Sequence, residues 1–277
     1  MSLRINTNIQ AISAQRHLAN NVGKQNAALE HLASGTRINR AGDDAAGLAI
    51  SEKLKANIRS MKQATRNAND GISLVQVAEG GMNEVSNILI RMRELSIQSS
   101  SDTIAQPERQ FVDKEIQNLK SEIERIGQSS EFNGVKLLNG TAGPLDIQIG
   151  INNVSAEDRF VFDTSILTTT LGSLKIGDVS TKNKEEAQGN MAMIDAAMQQ
   201  LNENRSSLGA LQNRLTSSIS NLNLYRENLE GANSRIRDTD MAEETSELTK
   251  QNILTQANVS VLSQANQNPQ LAIKLLS

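Results

Sequence analysis

Ile194, Leu201, Leu208, Leu215, Leu222, Leu229 and Ile236 stand at unbroken seven-residue spacing. A strict heptad of apolar residues keeps one seam of a helix turned toward a partner, which is the pattern of a left-handed coiled coil. Ala197, Leu211, Tyr225 and Ala232 hold the companion position three residues on, and Asn204 and Ser218 interrupt it. Each Leu or Ile contributes about 1.5–3 kcal/mol when fully buried, so the stripe must be covered. A second stripe has the same period: Leu54, Met61, Ala68, Val75, Met82 and Leu89, supported by Ile58 and Ile72. At 1.5 Å per residue this second helix is expected to run for roughly 50 Å. A third amphipathic run, Val112, Ile116, Leu119, Ile123 and Ile126, follows Pro107 and is expected to stop near Gly127.

The 277 residues include four Phe, one Tyr and no Trp. Thick globular cores are usually dominated by large aromatic side chains. Their scarcity favours a mainly α, elongated antiparallel bundle, and it removes the stacking platforms of single-stranded nucleic-acid binders. A net charge of -3 with 21% charged residues gives no electrostatic case for nucleic acid. Cysteine is absent and the two histidines, His17 and His31, lack metal-ligand spacing. No metal, cofactor or catalytic site is therefore expected, nor any membrane span, because no apolar run approaches about 20 residues.

The middle of the chain changes period. Leu145, Ile147, Ile149 and Ile151 alternate with Asp146, Gln148 and Gly150, as in a half-buried strand, and Phe160 and Phe162 flank Val161 in another. Asn139-Gly140 and Gly143-Pro144 supply turns. Small β-hairpins are thus expected near 133–178, with Thr164 to Thr170 as a surface loop.

Both ends are amphipathic. Ile5, Ile9, Ile12, Ala19, Val22, Leu29 and Leu32 trace one face near the start. Leu254, Ala257, Val261 and Ala265, followed by Leu271, Ile273, Leu275 and Leu276, do so near the finish. Beyond Lys250 the charged side chains reduce to Lys274, and the polar face is Gln and Asn. An uncharged amide face suits burial among other subunits, where a lone charge is costly to desolvate. Taken alone, the Arg-bearing, acid-poor first segment also fits an organellar leader. Asn39 to Gly47 has the outline of a phosphate loop, but Leu48 stands where such a loop requires Lys. Asp43-Asp44 reads better as a helix start, at the positive end of the dipole. With no Ser/His/Asp grouping either, the chain is not expected to be an enzyme.

Residues 34–54, SGTRINRAGDDAAGLAISEKL, followed by Asn69-Asp70-Gly71-Ile72-Ser73, closely resemble the N-terminal region of bacterial flagellins. Residues 208–248 resemble the C-terminal region of the same family, and Phe132 to Leu138, FNGVKLL, the segment entering its hairpins. The resemblance covers about residues 1–140 and 185–277 and displaces the leader reading. Thr36 departs from the family's usual Leu, and the short middle looks like a minimal form. The resemblance implies a structural, self-assembling subunit of the flagellar filament. Residues 1–42 and 234–277 would form the inner filament-core domain through paired terminal helices. Residues 43–233 would form a rod-like middle domain with its hairpins. The assembly residues are then Ile5, Ile9, Ile12, Val22, Leu29, Leu254, Ala257, Val261 and Ala265. The middle-domain seam joins Leu54, Met61, Val75, Met82 and Leu89 to Ile194, Leu201, Leu208, Leu215, Leu222 and Leu229.

The same resemblance implies secretion through the flagellar type III channel without a cleaved signal peptide. Its implied partners are further copies of the chain, an export chaperone at the C-terminal segment, and the filament cap and hook-filament junction proteins. Arg91, Arg93, Glu94 and Leu95, with Glu115, match the segment engaged by the vertebrate Toll-like receptor that senses flagellin. The alternatives are a hook-filament junction protein of the same family and a non-flagellar soluble coiled-coil scaffold.

Overall fold

A computed structural model describes residues 7–276, with side chains over 7–267. Ile5 and the side chains of Leu271, Ile273, Leu275 and Leu276 lie outside the described residues. The elements run α1 (Ile9–Ser34), α2 (Ala45–Ser99), α3 (Gln106–Ser129), β1 (Glu131–Phe132), β2 (Val135–Lys136), β3 (Pro144–Gln148), α4 (Ser155–Asp158), β4 (Arg159–Asp163), α5 (Lys184–Arg237) and α6 (Met241–Leu276). They fall into two compact units, one of residues 1–56 and 228–277, the other of residues 57–227.

In the first unit α1 and α6 pack antiparallel. Asn8 Nδ2 donates to the Ala265 carbonyl (2.8 Å), Gln25 Nε2 donates to Asn252 Oδ1 (2.7 Å), and His31 meets Glu244 at 3.2 Å. The three helix starts in this unit each have a side-chain cap, which supplies an acceptor for otherwise unpaired amides. Asn8 Oδ1 accepts from Ala11 N, Asp44 Oδ1 from Gly47 N, and Asp240 Oδ1 from Ala242 N. Asp44 thus starts α2 as the sequence predicts, while Asp43 Oδ2 accepts from the amides of Asn39 and Arg40. These two bonds hold the Asp43 carboxyl below its ordinary value. A short antiparallel bridge pairs Thr36 with Asp238 and joins the loop after α1 to the end of α5. Arg37 N donates to the Arg237 carbonyl (2.6 Å) and Thr239 N to that of Gly35 (3.1 Å). Thr36 Oγ1 also donates to Asn39 Oδ1 (2.5 Å), a local use for the hydroxyl.

The second unit has one continuous apolar core built from α2, α3, the strands and α5. Met61, Val75, Met82 and Leu89 of α2 are buried, as are Ile194, Leu201, Leu208 and Leu215 of α5. The helices run antiparallel: Arg93 pairs with Asp195 (2.7 Å), and Gly71 of α2 lies against Leu215 of α5. Val112, Ile116, Ile123 and Ile126 of α3 complete this side, and α3 continues two residues beyond Gly127. β1 and β2 form a two-residue hairpin pairing Phe132 with Val135. β3 and β4 pair antiparallel with Ile147 opposite Phe160 and Leu145 opposite Phe162. Ile147 and Phe162 point into the core while Val161 faces out.

Three expectations need correction. Leu222 is only half-buried, because the β3–β4 hairpin meets α2 at Gly71 and Asn67 and Leu222 lies beyond that cover. Leu54 and Leu229, which fall in the first unit, are also half-buried, and Tyr225 of the companion row is 55% exposed. The stretch Thr164 to Thr170 is no free surface loop. Thr164, Leu167 and Thr169 are buried, and the Thr164 hydroxyl donates to the Gly143 carbonyl (2.8 Å).

Candidate assembly interface

The α1–α6 pair turns only some of its large apolar residues toward each other. The facing row of α1 is Ala11, Ala14, Leu18, Asn21, Gln25, Ala28 and Leu32, alternately spaced three and four residues apart. The facing row of α6 is Leu248, Gln251, Thr255, Asn258, Leu262 and Ala265. Both follow heptad geometry, but small and amide side chains hold most positions. Small residues let two backbones approach closely, and Ala14, Ala28 and Ala265 are all but covered. Amides supply little apolar area, and Gln251 Oε1 and Thr255 Oγ1 are buried without a hydrogen-bond partner. A buried polar atom left unpaired costs about 1–3 kcal/mol, so these two positions subtract from the pairing.

Other large apolar residues lie elsewhere on the same helices. Ile9 (63% exposed), Ile12, Val22 and Leu29 face outward from α1. Leu254 and Val261 (55% exposed) do so from α6, joined by Ala257 and by Ile253 and Val259. Of the expected assembly residues with described side chains, only Ala265 belongs to the facing row. Covering what remains exposed of six Val, Leu and Ile side chains would contribute several kcal/mol per subunit, at about 1.5–3 kcal/mol for each complete burial. Exposed apolar side chains gathered on one helix pair make it a candidate protein contact.

Outside the helical pair, Arg91 of α2 reaches α3, its guanidinium 2.9 Å from Glu115 and 3.1 Å from Glu94. Hydrogen bonds to these carboxylates, Glu115 first, raise the Arg91 pKa, and Asp195 does the same for Arg93. All these groups are well exposed. Leu95 is not: it is 1% exposed and packed in the core, so its side chain is unavailable for a docked receptor. Its place three residues beyond Met92, itself three beyond Leu89, puts it on the same buried face of α2. No group of three or more His, Asp or Glu among the described residues is arranged to hold a metal ion. No described helix is long and apolar enough to cross a membrane.

Residues 5–143 match the family model for the bacterial flagellin N-terminal helical region, and residues 191–276 match that for the C-terminal helical region. A flagellin of Halalkalibacterium halodurans is 47% identical over 274 residues, covering 98% of this chain and 99% of that one. A Bacillus subtilis flagellin is 42% identical over 304 residues, covering 99% and 100% of the two chains. Among solved structures, the crystal structure of Bacillus cereus flagellin is similar with a TM-score of 0.51 at 29% identity, over 57% of this chain and 88% of that one.

Proposed function

Since the chain belongs to the bacterial flagellin family and is a subunit of the extracellular flagellar filament, we propose that its terminal helix pair is the part that drives polymerisation. The observation that carries this reading is the division of labour on α1 and α6. Alanine, amides and four half-buried leucines face the partner helix, while Ile9, Ile12, Val22, Leu29, Leu254 and Val261 face outward. In a filament these stripes would be covered by the same helices of neighbouring copies. Residues 1–42 and 234–277 would then build the inner core, and residues 43–233 the rod-like middle domain around it. Ala257 sits on the same outward side as Leu254 and Val261 and would join that contact.

Weak pairing also suits export. A helix pair that leaves large apolar side chains outside its contact opens at little cost, so the ends can pass through a narrow secretion channel as extended chain and refold on arrival. The outward stripe of α6 is a fitting target for an export chaperone before secretion, because an amphipathic helix offers its apolar face to a hydrophobic groove. The cap and the hook-filament junction proteins would meet the same terminal surfaces at the two ends of the polymer. The Toll-like receptor contact would use Arg91 and Glu115 on the outer faces of α2 and α3, without Leu95.

Deleting residues 250–277 tests the central reading. The second unit keeps its whole core, so the truncated chain should remain folded and helical by circular dichroism. It should form no filaments in the electron microscope under conditions that polymerise the parent. Normal filaments from the truncated chain would refute the assignment.

A further inference from the structure

The chain contains two Asn–Gly pairs, Asn133-Gly134 and Asn139-Gly140, and the fold treats them differently. Asn133 and Gly134 are the two turn residues of the β1–β2 hairpin, both exposed, with φ of 50° and 80°. Open space surrounds Gly134, and the Asn133 side chain makes no hydrogen bond among the described residues. Asn139 is tied down. Its Oδ1 accepts from the Thr141 amide (3.0 Å) and hydroxyl (2.7 Å), and its Nδ2 donates to Gln128 Oε1 (3.5 Å). Gly140 is hemmed in as well: a Cβ there would lie 2.5 Å from Thr168 Cγ2.

We propose that Asn133 is a site of spontaneous deamidation in the folded protein, while Asn139 is protected. In the reaction the Gly134 backbone nitrogen, losing its proton to solvent base, attacks Asn133 Cγ. A C–N bond forms, the side-chain nitrogen leaves as ammonia, and a five-membered succinimide remains. Water then opens either carbonyl, giving aspartate or isoaspartate. The glycine has no side chain to obstruct the attack, and an exposed two-residue turn lets backbone and side chain rotate toward each other. At Asn139 the three hydrogen bonds must break first.

The change has a structural consequence. Isoaspartate inserts a methylene into the main chain, so a two-residue turn can no longer hold Phe132 opposite Val135. Either product adds a carboxylate two positions from Glu131, whose own carboxylate pairs with Lys136 Nζ at 2.5 Å. The hairpin tip of each subunit thus records its age.

The full-length chain, held in mildly alkaline buffer and sampled over time, tests this by peptide mapping with separation of aspartyl and isoaspartyl forms. A parallel sample in strong denaturant removes the effect of folding. In the folded chain Asn133 should convert about tenfold faster than Asn139, since breaking local structure adds at least about one tenfold step to a barrier. In denaturant the two rates should converge. Equal rates in the folded chain, faster loss of Asn139, or an unchanged ratio in denaturant would overturn the proposal.

Discussion

Gly71 and Gly80 lie in the interior of the same helix, α2, and the same substitution should stabilise the protein at Gly80 but not at Gly71. Alanine gains about 0.8–1 kcal/mol over glycine in a helix interior. Around Gly80 nothing approaches an added Cβ within 4 Å, so Gly80→Ala should keep that gain in full. At Gly71 the added Cβ would lie 2.8 Å from Ile147 Cδ1, 3.2 Å from Ile147 Cγ2 and 3.5 Å from Leu215 Cδ1. The β3–β4 hairpin and α5 both close on α2 at this point. Forcing a methyl group into such packing costs about 1–3 kcal/mol, which cancels or outweighs the helical gain. The difference between the variants, about 1–3 kcal/mol, is the overpacking penalty itself, because the backbone contribution is common to both. Urea unfolding followed by far-ultraviolet circular dichroism measures it, with hydrogen exchange of the α5 amides around Leu215 reporting on the second unit alone. Two compact units need not unfold in one step, and the local probe avoids that ambiguity. Equal stabilisation of both variants would show that the hairpin does not pack on α2 at Gly71.

Leu215→Ala should cost the second unit about 2.7–5 kcal/mol, because Leu215 is fully buried and lies against Gly71 of α2. Arg214→Ala, which removes a guanidinium 4.3 Å from the centre of the Phe160 ring, should cost about 0.5–1 kcal/mol; similar shifts in the urea midpoint for both would refute the heptad seam. In the first unit, the hydrogen bond from Arg237, followed by the Lys55 charge, holds the Glu52 carboxyl below its ordinary value of 4.5. A depressed carboxylate favours the fold above its unfolded pKa, and that contribution disappears as pH falls through the folded value. Protection factors of the amides at the start of α2, which remove the intrinsic pH dependence of exchange, should therefore fall below about pH 4.5 in the parent and less steeply in Glu52→Gln; identical acid profiles would exclude the Arg237 link.

The second unit was largely legible in the sequence because its chemistry is the ordinary one, with large apolar residues turned inward. Met61, Val75, Met82 and Leu89 against Ile194, Leu201, Leu208 and Leu215 make a seam that period alone identifies. The alternation of Leu145, Ile147 and Ile149 likewise locates β3. Two things there were not legible. The burial of Thr164 and Thr169 depends on the Gly143 carbonyl and on the loop they pack under, and no local pattern signals either. The Arg91–Glu115 link depends on how α3 folds back along α2. The first unit inverts the usual rule. An apolar stripe normally marks the face that a helix buries in its own subunit. On α1 the stripe through Ile9, Ile12 and Val22 instead marks the face left open, and the facing row, with Leu18 and Leu32 set among Ala14, Asn21, Gln25 and Ala28, carries only a diluted hydrophobic signature. The amide-rich face of α6 has a split meaning too: Gln251 and Asn258 lie in the facing row, whereas Gln264 is exposed.

The absence of cysteine makes the outward stripes directly measurable. Val22→Cys and Val261→Cys each introduce a single thiol of similar volume at an exposed position, one on α1 and one on α6. Maleimide labelling can be timed on the soluble subunit and again on filaments assembled from it. Stripes that drive polymerisation predict rapid labelling of both thiols before assembly and at least about tenfold slower labelling afterwards, as expected for side chains reached only by local opening. Labelling at the same rate in the filament would mean that neighbouring copies leave these faces open, and would contradict the assignment of α1 and α6 as the assembly surface.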